Sequence, residues 1–91
     1  MRLADRPRAI YKVWDIIRNE ADFSDVDVAD IIGPSRKSWI VMARQAAMYR
    51  AYTETGLGRP TLARIFKRDV QTIWHGINAH ERHQKEAEMS L

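Results

Sequence analysis

Apolar residues recur along this chain at helical spacing, and nowhere in the strict alternation of a half-buried strand. Over residues 7–22, Ile10, Val13, Trp14 and Ile17 fall at i, i+3, i+4 and i+7 and predict one amphipathic helix. Pro7 suits its first turn, where a missing N–H costs nothing. Val28, Ile31 and Ile32 form a short second helix, with Asp25 or Asp27 as N-cap and Gly33-Pro34 as the stop. Residues 38–55 predict a third helix with Ser38 as N-cap and Trp39, Ile40, Ala43, Ala46 and Ala47 on one side. Small residues on that side permit close helix approach. Gly56 fits the left-handed position that ends a helix.

Pro60 at the first helical position, followed by Leu62, Ile65 and Phe66, predicts a fourth, short helix over 60–66. Lys67-Arg68 then make a tight break, and Asp69 caps a fifth helix running to about residue 83. On that helix Val70, Ile73, Trp74 and Ile77 form an apolar stripe opposite Gln71, Thr72, His75, Asn78 and Arg82. Residues 84–91 read as a polar, fraying tail. The expected fold is all-α: one domain over 1–91 with about five helices. The short helix, brief turn and longer helix at its end have the helix-turn-helix pattern, whose second helix enters the DNA major groove.

Charge sharpens this expectation. The chain has 91 residues and a net charge of +3, unevenly spread. Residues 1–33 carry −2, residues 34–68 carry +7, and residues 69–91 carry −2. The middle stretch sets Arg36, Lys37, Arg44, Arg50, Arg59, Arg64, Lys67 and Arg68 against Glu54 alone, the electrostatic footprint of a polyanion site. The length admits no ATPase or doubly wound cofactor domain, which take roughly 150 residues. Without cysteine there is no disulfide framework or thiolate metal site. No apolar run is long enough to span a membrane, and residues 1–8 lack the apolar core of a signal peptide. A cytoplasmic, nucleoid-associated protein is expected.

Three runs are specific in combination: Met42-Ala43-Arg44-Gln45-Ala46-Ala47-Met48-Tyr49, Pro60-Thr61-Leu62-Ala63-Arg64-Ile65-Phe66, and Arg68-Asp69-Val70-Gln71-Thr72-Ile73-Trp74-His75. Together they resemble the C-terminal DNA-binding domain of the bacterial replication initiator DnaA. In that family an A-R-Q-x-A-M-Y helix precedes a proline-started helix, a Phe and R-D-H-T-T-V-x-H-A. The resemblance covers residues 14–83 and departs at four points. Lys67 stands for a glycine pair, Val70 for the signature His, Gln71 for Thr, and Arg59 for the Leu before the proline. The sequence has no G-x-x-x-x-G-K-[ST] phosphate loop; Gly56-Leu57-Gly58-Arg59-Pro60-Thr61 is only a glycine-containing turn.

The resemblance implies a module that binds double-stranded DNA, a regulator of transcription or replication without ATPase activity. By family position Arg36 enters the minor groove, where a narrow A·T-rich tract attracts arginine. Arg44 matches a family phosphate contact, and Arg68 stands before the recognition helix, where the family also has Arg and a helix N-terminus draws phosphate. Lys37, Arg59, Thr61, Lys67 and His75 are further phosphate candidates. On the fifth helix, Asp69 can accept from cytosine N4 as well as cap, Gln71 can pair with adenine, and Thr72 can offer hydroxyl or methyl. Val70 lies on the apolar stripe by helical wheel and faces the groove by family position, where it would meet a thymine methyl. Trp39 and Trp74 read as core, and Arg50 as ordinary surface.

Other chemistries find little support. His75, His80 and His83 lack the H-E-x-x-H spacing, and the serines have no nucleophile elbow. No enzyme, metal, cofactor or small-molecule substrate is expected. The alternative reading is a protein-interaction module of the same fold that has lost DNA reading and acts on an initiator or another partner. Its N-terminal helix would serve as a docking or homodimer surface.

Overall fold

The computed structural model describes residues 6–90. Five helices follow one another: α1 (Arg6–Ser24), α2 (Val28–Ile32), α3 (Ser38–Thr55), α4 (Arg59–Phe66) and α5 (Val70–Met89). Among the described residues there is no strand, as the unbroken helical periodicity requires. Residues 1–5, including most of the stretch read for a signal peptide, lie outside the described residues.

Helix α3 is the central element and packs against the other four. Its inward positions are Ile40, Ala43, Arg44, Ala47, Met48 and Ala51, spaced alternately by three and one. The three alanines let α1 come close on one flank. On the other flank α5 approaches at Gly76, where a Cβ would lie 2.6 Å from the Met48 sulfur. Val13, Ile16, Ile17, Ile31, Met48, Leu62, Phe66 and Ile73 are the large, fully buried side chains. Leu57 joins this core from the α3–α4 turn. Gly56 makes that turn possible with φ 72°, donating its N–H to the Tyr52 carbonyl.

Several boundaries differ from the sequence expectations. Helix α5 continues to Met89, where a fraying tail was expected from residue 84. Gln84-Lys85-Glu86-Ala87-Glu88-Met89 contains only good helix formers, and Lys85 pairs with Glu81 one turn back at 3.3 Å. Ser38 is the first helical residue and Lys37 occupies the cap position. Arg59 precedes Pro60 as the first residue of α4. Of the two candidate caps for α2, Asp27 holds the position, and Asp30 accepts from its N–H at 3.2 Å.

Arg50, expected as ordinary surface, ties α3 to α1. It donates to Glu54 at 2.7 Å, Asn19 at 2.8 Å and Glu20 at 3.2 Å. The bond to Glu54 leads in raising its pKa above the usual arginine value, so this guanidinium stays charged and engaged.

The break between α4 and α5 turns on Lys67, whose φ of 56° and ψ of 44° place it in the left-handed region. Its N–H closes the turn on the Ala63 carbonyl. A lysine there carries a Cβ clash that glycine avoids. Lys67→Gly is therefore expected to raise stability by about 0.5–1 kcal/mol. Thermal unfolding followed by circular dichroism should show a midpoint higher by about 4 °C; an unchanged or lower midpoint would contradict this account of the turn.

Candidate nucleic-acid interface

The site starts at the end of α2. A five-residue helix leaves its last carbonyls without intrahelical donors. Arg44 on α3 fills part of that need. Its Nε donates to the Ile31 carbonyl at 2.6 Å, and its Nη2 to those of Asp30 and Gly33, each at 3.0 Å. Arg68, just before α5, supplies the rest. Its Nη1 donates to Ile32 at 2.7 Å and Phe66 at 2.9 Å, and its Nη2 to Gly33 at 2.6 Å. Gly33 sits where a Cβ would lie 2.6 Å from the Ala29 carbonyl oxygen, so a side chain has no room there.

These bonds revise two expectations. Arg44 is only 6% exposed and its guanidinium is committed to carbonyls, which removes it from the set of outward phosphate contacts. Desolvation pulls its pKa below the usual arginine value, and the nearby Arg68 charge pushes the same way. Arg68 is half-buried, and it too is held mainly by carbonyls. Burial likewise lowers its pKa. Of the eight basic residues in the middle stretch, Arg44 and Arg68 serve the fold, and Arg50 is paired with carboxylates. Arg36, Lys37, Arg59, Arg64 and Lys67 remain as outward charge.

The same bonds position the other residues. The loop carrying Arg36 and Lys37 leaves Gly33, whose carbonyl is gripped by Arg44 from α3 and by Arg68 from the turn before α5. Arg36 and Lys37 are exposed, and the Lys37 N–H donates to the Ser35 hydroxyl at 3.3 Å. Asp69 caps α5 and accepts from the Thr72 N–H at 2.7 Å. That bond holds its carboxyl below the usual aspartate range. Gln71, Thr72 and His75 are exposed. Val70 is 40% exposed, outside the core. Thr61 is half-buried, and its hydroxyl accepts from Arg6 of α1 at 3.4 Å.

Two residues read as core are not core. Trp39 is 55% exposed and Trp74 is 41% exposed. The inner face of α5 is the narrow stripe Ile73, Gly76 and Ile77, because Gly76 seats against Met48. Trp74 stands about 100° around the helix from Ile73. Trp39 lies in the first turn of α3, at the edge of the core. Each indole carries a cation: the Arg59 guanidinium carbon lies 4.6 Å from the Trp74 ring centre, and the Lys37 amine 5.6 Å from that of Trp39. Sequence reasoning missed both pairs, and it gave Arg6 no role. The one sequence signal bearing on these pairs was Arg59, standing where the family has Leu before the proline.

Helices α4 and α5, packed across the Lys67 break, make this a helix-turn-helix protein. The family model described as the bacterial dnaA protein helix-turn-helix matches residues 13–79, and the chain belongs to that family. It is 41% identical over 63 residues to the chromosomal replication initiator protein DnaA of Oenococcus oeni, covering 68% of this chain and 14% of that protein. Against the DnaA of Cereibacter sphaeroides it is 37% identical over 82 residues, 89% of this chain and 17% of the relative. Against that of Ruegeria pomeroyi it is 36% identical over 83 residues, 87% of this chain and 18% of the relative. The chain thus spans less than a fifth of the length of these relatives. No solved structure matches it significantly. No helix among the described residues is long and apolar enough to cross a membrane.

Two predictions follow from the anchoring. Arg44→Met keeps the stem but strips donors from three carbonyls, and should destabilise the domain by about 3 kcal/mol or more in urea unfolding. Arg64→Met, at an exposed position, should stay within about 0.5 kcal/mol of the parent; equal losses in the two variants would refute the structural role of Arg44. Asp69 gives a pH signature. Its folded pKa is depressed, so its charge contributes stability above the unfolded value of about 3.9 and loses it as pH falls through the lower folded value. The stability gap between the parent and Asp69→Asn should be present at neutral pH and closed in strong acid, as read from melts across the acid range.

Proposed function

We propose that this chain binds double-stranded DNA sequence-specifically through its helix-turn-helix and acts as a regulator of replication or transcription by occupying its sites, without ATPase activity. The first turn of α5 enters the major groove. There Val70, Gln71 and Thr72 meet base edges, and Asp69 has one carboxylate oxygen beyond its cap bond for a cytosine amine. Arg36 reaches an adjacent minor groove. Lys37, Arg59, Thr61, Lys67 and His75 border the groove as phosphate contacts.

The observation that carries this reading is the first turn of α5. An apolar Val70 and the polar Gln71 and Thr72 stand exposed just after the exposed Lys67, on a helix whose start is anchored through Arg68. Family membership supports it: the matched relatives are named as chromosomal replication initiators. A nucleoid location follows from the same reading.

A contact through α1 to a second copy or to a replication protein is a second reading, favoured by the exposed Tyr11 and Phe23 on that helix. Sedimentation of the parent beside Tyr11→Ser and Phe23→Ser tests it: an assembly or partner complex lost in the variants supports it, and a monomer that captures nothing rejects it.

The main reading is tested by selection from a random duplex library, followed by salt titration on the enriched site. An enriched motif is expected, with log affinity falling against log salt by about 0.9 for each phosphate held. Gln71→Ala should relax preference at one base pair at a cost of about 1–3 kcal/mol, while Lys67→Ala weakens all duplexes alike. No enrichment, or affinity indifferent to salt, would reject DNA reading.

A further inference from the structure

Trp74 is a large apolar ring left 41% exposed beside the helix end that carries Val70, Gln71 and Thr72. It is not idle surface. The Arg59 guanidinium lies over its face, 4.6 Å from the ring centre. Arg59 is the first residue of α4, and Trp74 is in the second turn of α5, so the pair bridges the two helices of the helix-turn-helix on its outer side. The helix gains nothing from a cation at that place, since the positive end of the α4 dipole opposes it. Arg59 is also half-buried, and among the described residues it has no carboxylate within salt-bridge distance, unlike Arg50. What fixes this long side chain is the indole. A flexible arginine loses rotamer freedom on gripping an anion, and a stacked one has lost part of that freedom already.

We propose that Trp74 is a positioning residue: its indole holds the Arg59 guanidinium in place to grip a duplex phosphate on the α4 side of the groove entered by α5. This rests on the DNA-binding reading above. The stacked guanidinium keeps its edge N–H groups free, because a cation–π contact uses the face of the group and leaves its in-plane donors for a phosphate. Trp74 thus contributes to affinity through Arg59, without touching a base.

The test is a double-mutant cycle on the full chain, using fluorescence anisotropy with the duplex enriched from the library and a salt series for each protein. The variants are Trp74→Met, which keeps bulk without a π face, Arg59→Leu, the double variant, and Trp74→Phe, with circular dichroism reporting that each folds. Trp74→Met should weaken binding about three- to tenfold. Arg59→Leu should weaken it at least as much and flatten the salt slope by about 0.9. In the Arg59→Leu background, Trp74→Met should change affinity less than twofold, and Trp74→Phe should retain most of the parent's affinity. If Trp74→Met does not fold, Trp74→Phe takes its place in the cycle, with a smaller loss expected that again vanishes without Arg59. The same loss with and without Arg59, or no loss at all, overturns the positioning role while leaving DNA binding intact. A parent chain that binds no duplex overturns both.

Discussion

Two guanidiniums on one short run of carbonyls hold this domain in register. Arg44 and Arg68 between them satisfy the carbonyls of Asp30, Ile31, Ile32 and Gly33. Alone, a five-residue helix is far below the length at which helices persist in water. Here α2 persists because its C-terminal end, the negative pole of its dipole, is met by two cations. The two charges repel each other, and burial disfavours both. Six carbonyl contacts outweigh that, because a buried carbonyl without a donor costs about 1–3 kcal/mol and several would be exposed to that loss at once. The same bonds fasten α2 to α3, and both to Arg68 in the turn that leads into α5.

Everything proposed for DNA depends on this fastening. The basic loop and the start of α5 belong to different parts of the chain, yet both are referred to the Gly33 carbonyl. Arginine suits the task because its planar fork reaches several acceptors from one side chain. The outward charge is correspondingly smaller than the basic middle stretch suggests, since three of its arginines are occupied within the fold.

Much of this was legible in the sequence. The five helices, the all-α class and the helix-turn-helix follow from apolar spacing and from the three motif runs, because helix burial imposes a 3.6-residue period that survives in the residues. Val13, Ile17, Ile73 and Ile77 are buried as that period requires. What stayed hidden depends on contacts between distant residues. Nothing local distinguishes Arg44, which caps α2, from Arg64, which lies in solvent. Trp39 and Trp74 are apolar by type; for Trp74 the close α3–α5 approach at Gly76, which narrows the inner face of α5, goes with its place outside the core, and Trp39 stands exposed at the start of α3. The helical run beyond residue 83 was obscured by its polarity, although its propensity for helix was plain in Gln84 through Met89.

The grip on Gly33 also bears on how tightly two grooves can be held at once. A loop and a helix that moved independently would each have to be ordered separately on the duplex, and the second contact would gain little from the first. With both referred to one carbonyl, the proposed DNA-binding loop and helix are joined through the fold itself. In the proposed complex, with α5 seated, Arg36 would meet its groove at a high effective concentration, and the second engagement would be an intramolecular step. Affinity from so small a surface then comes less from the number of contacts than from the rigidity with which the fold presents them.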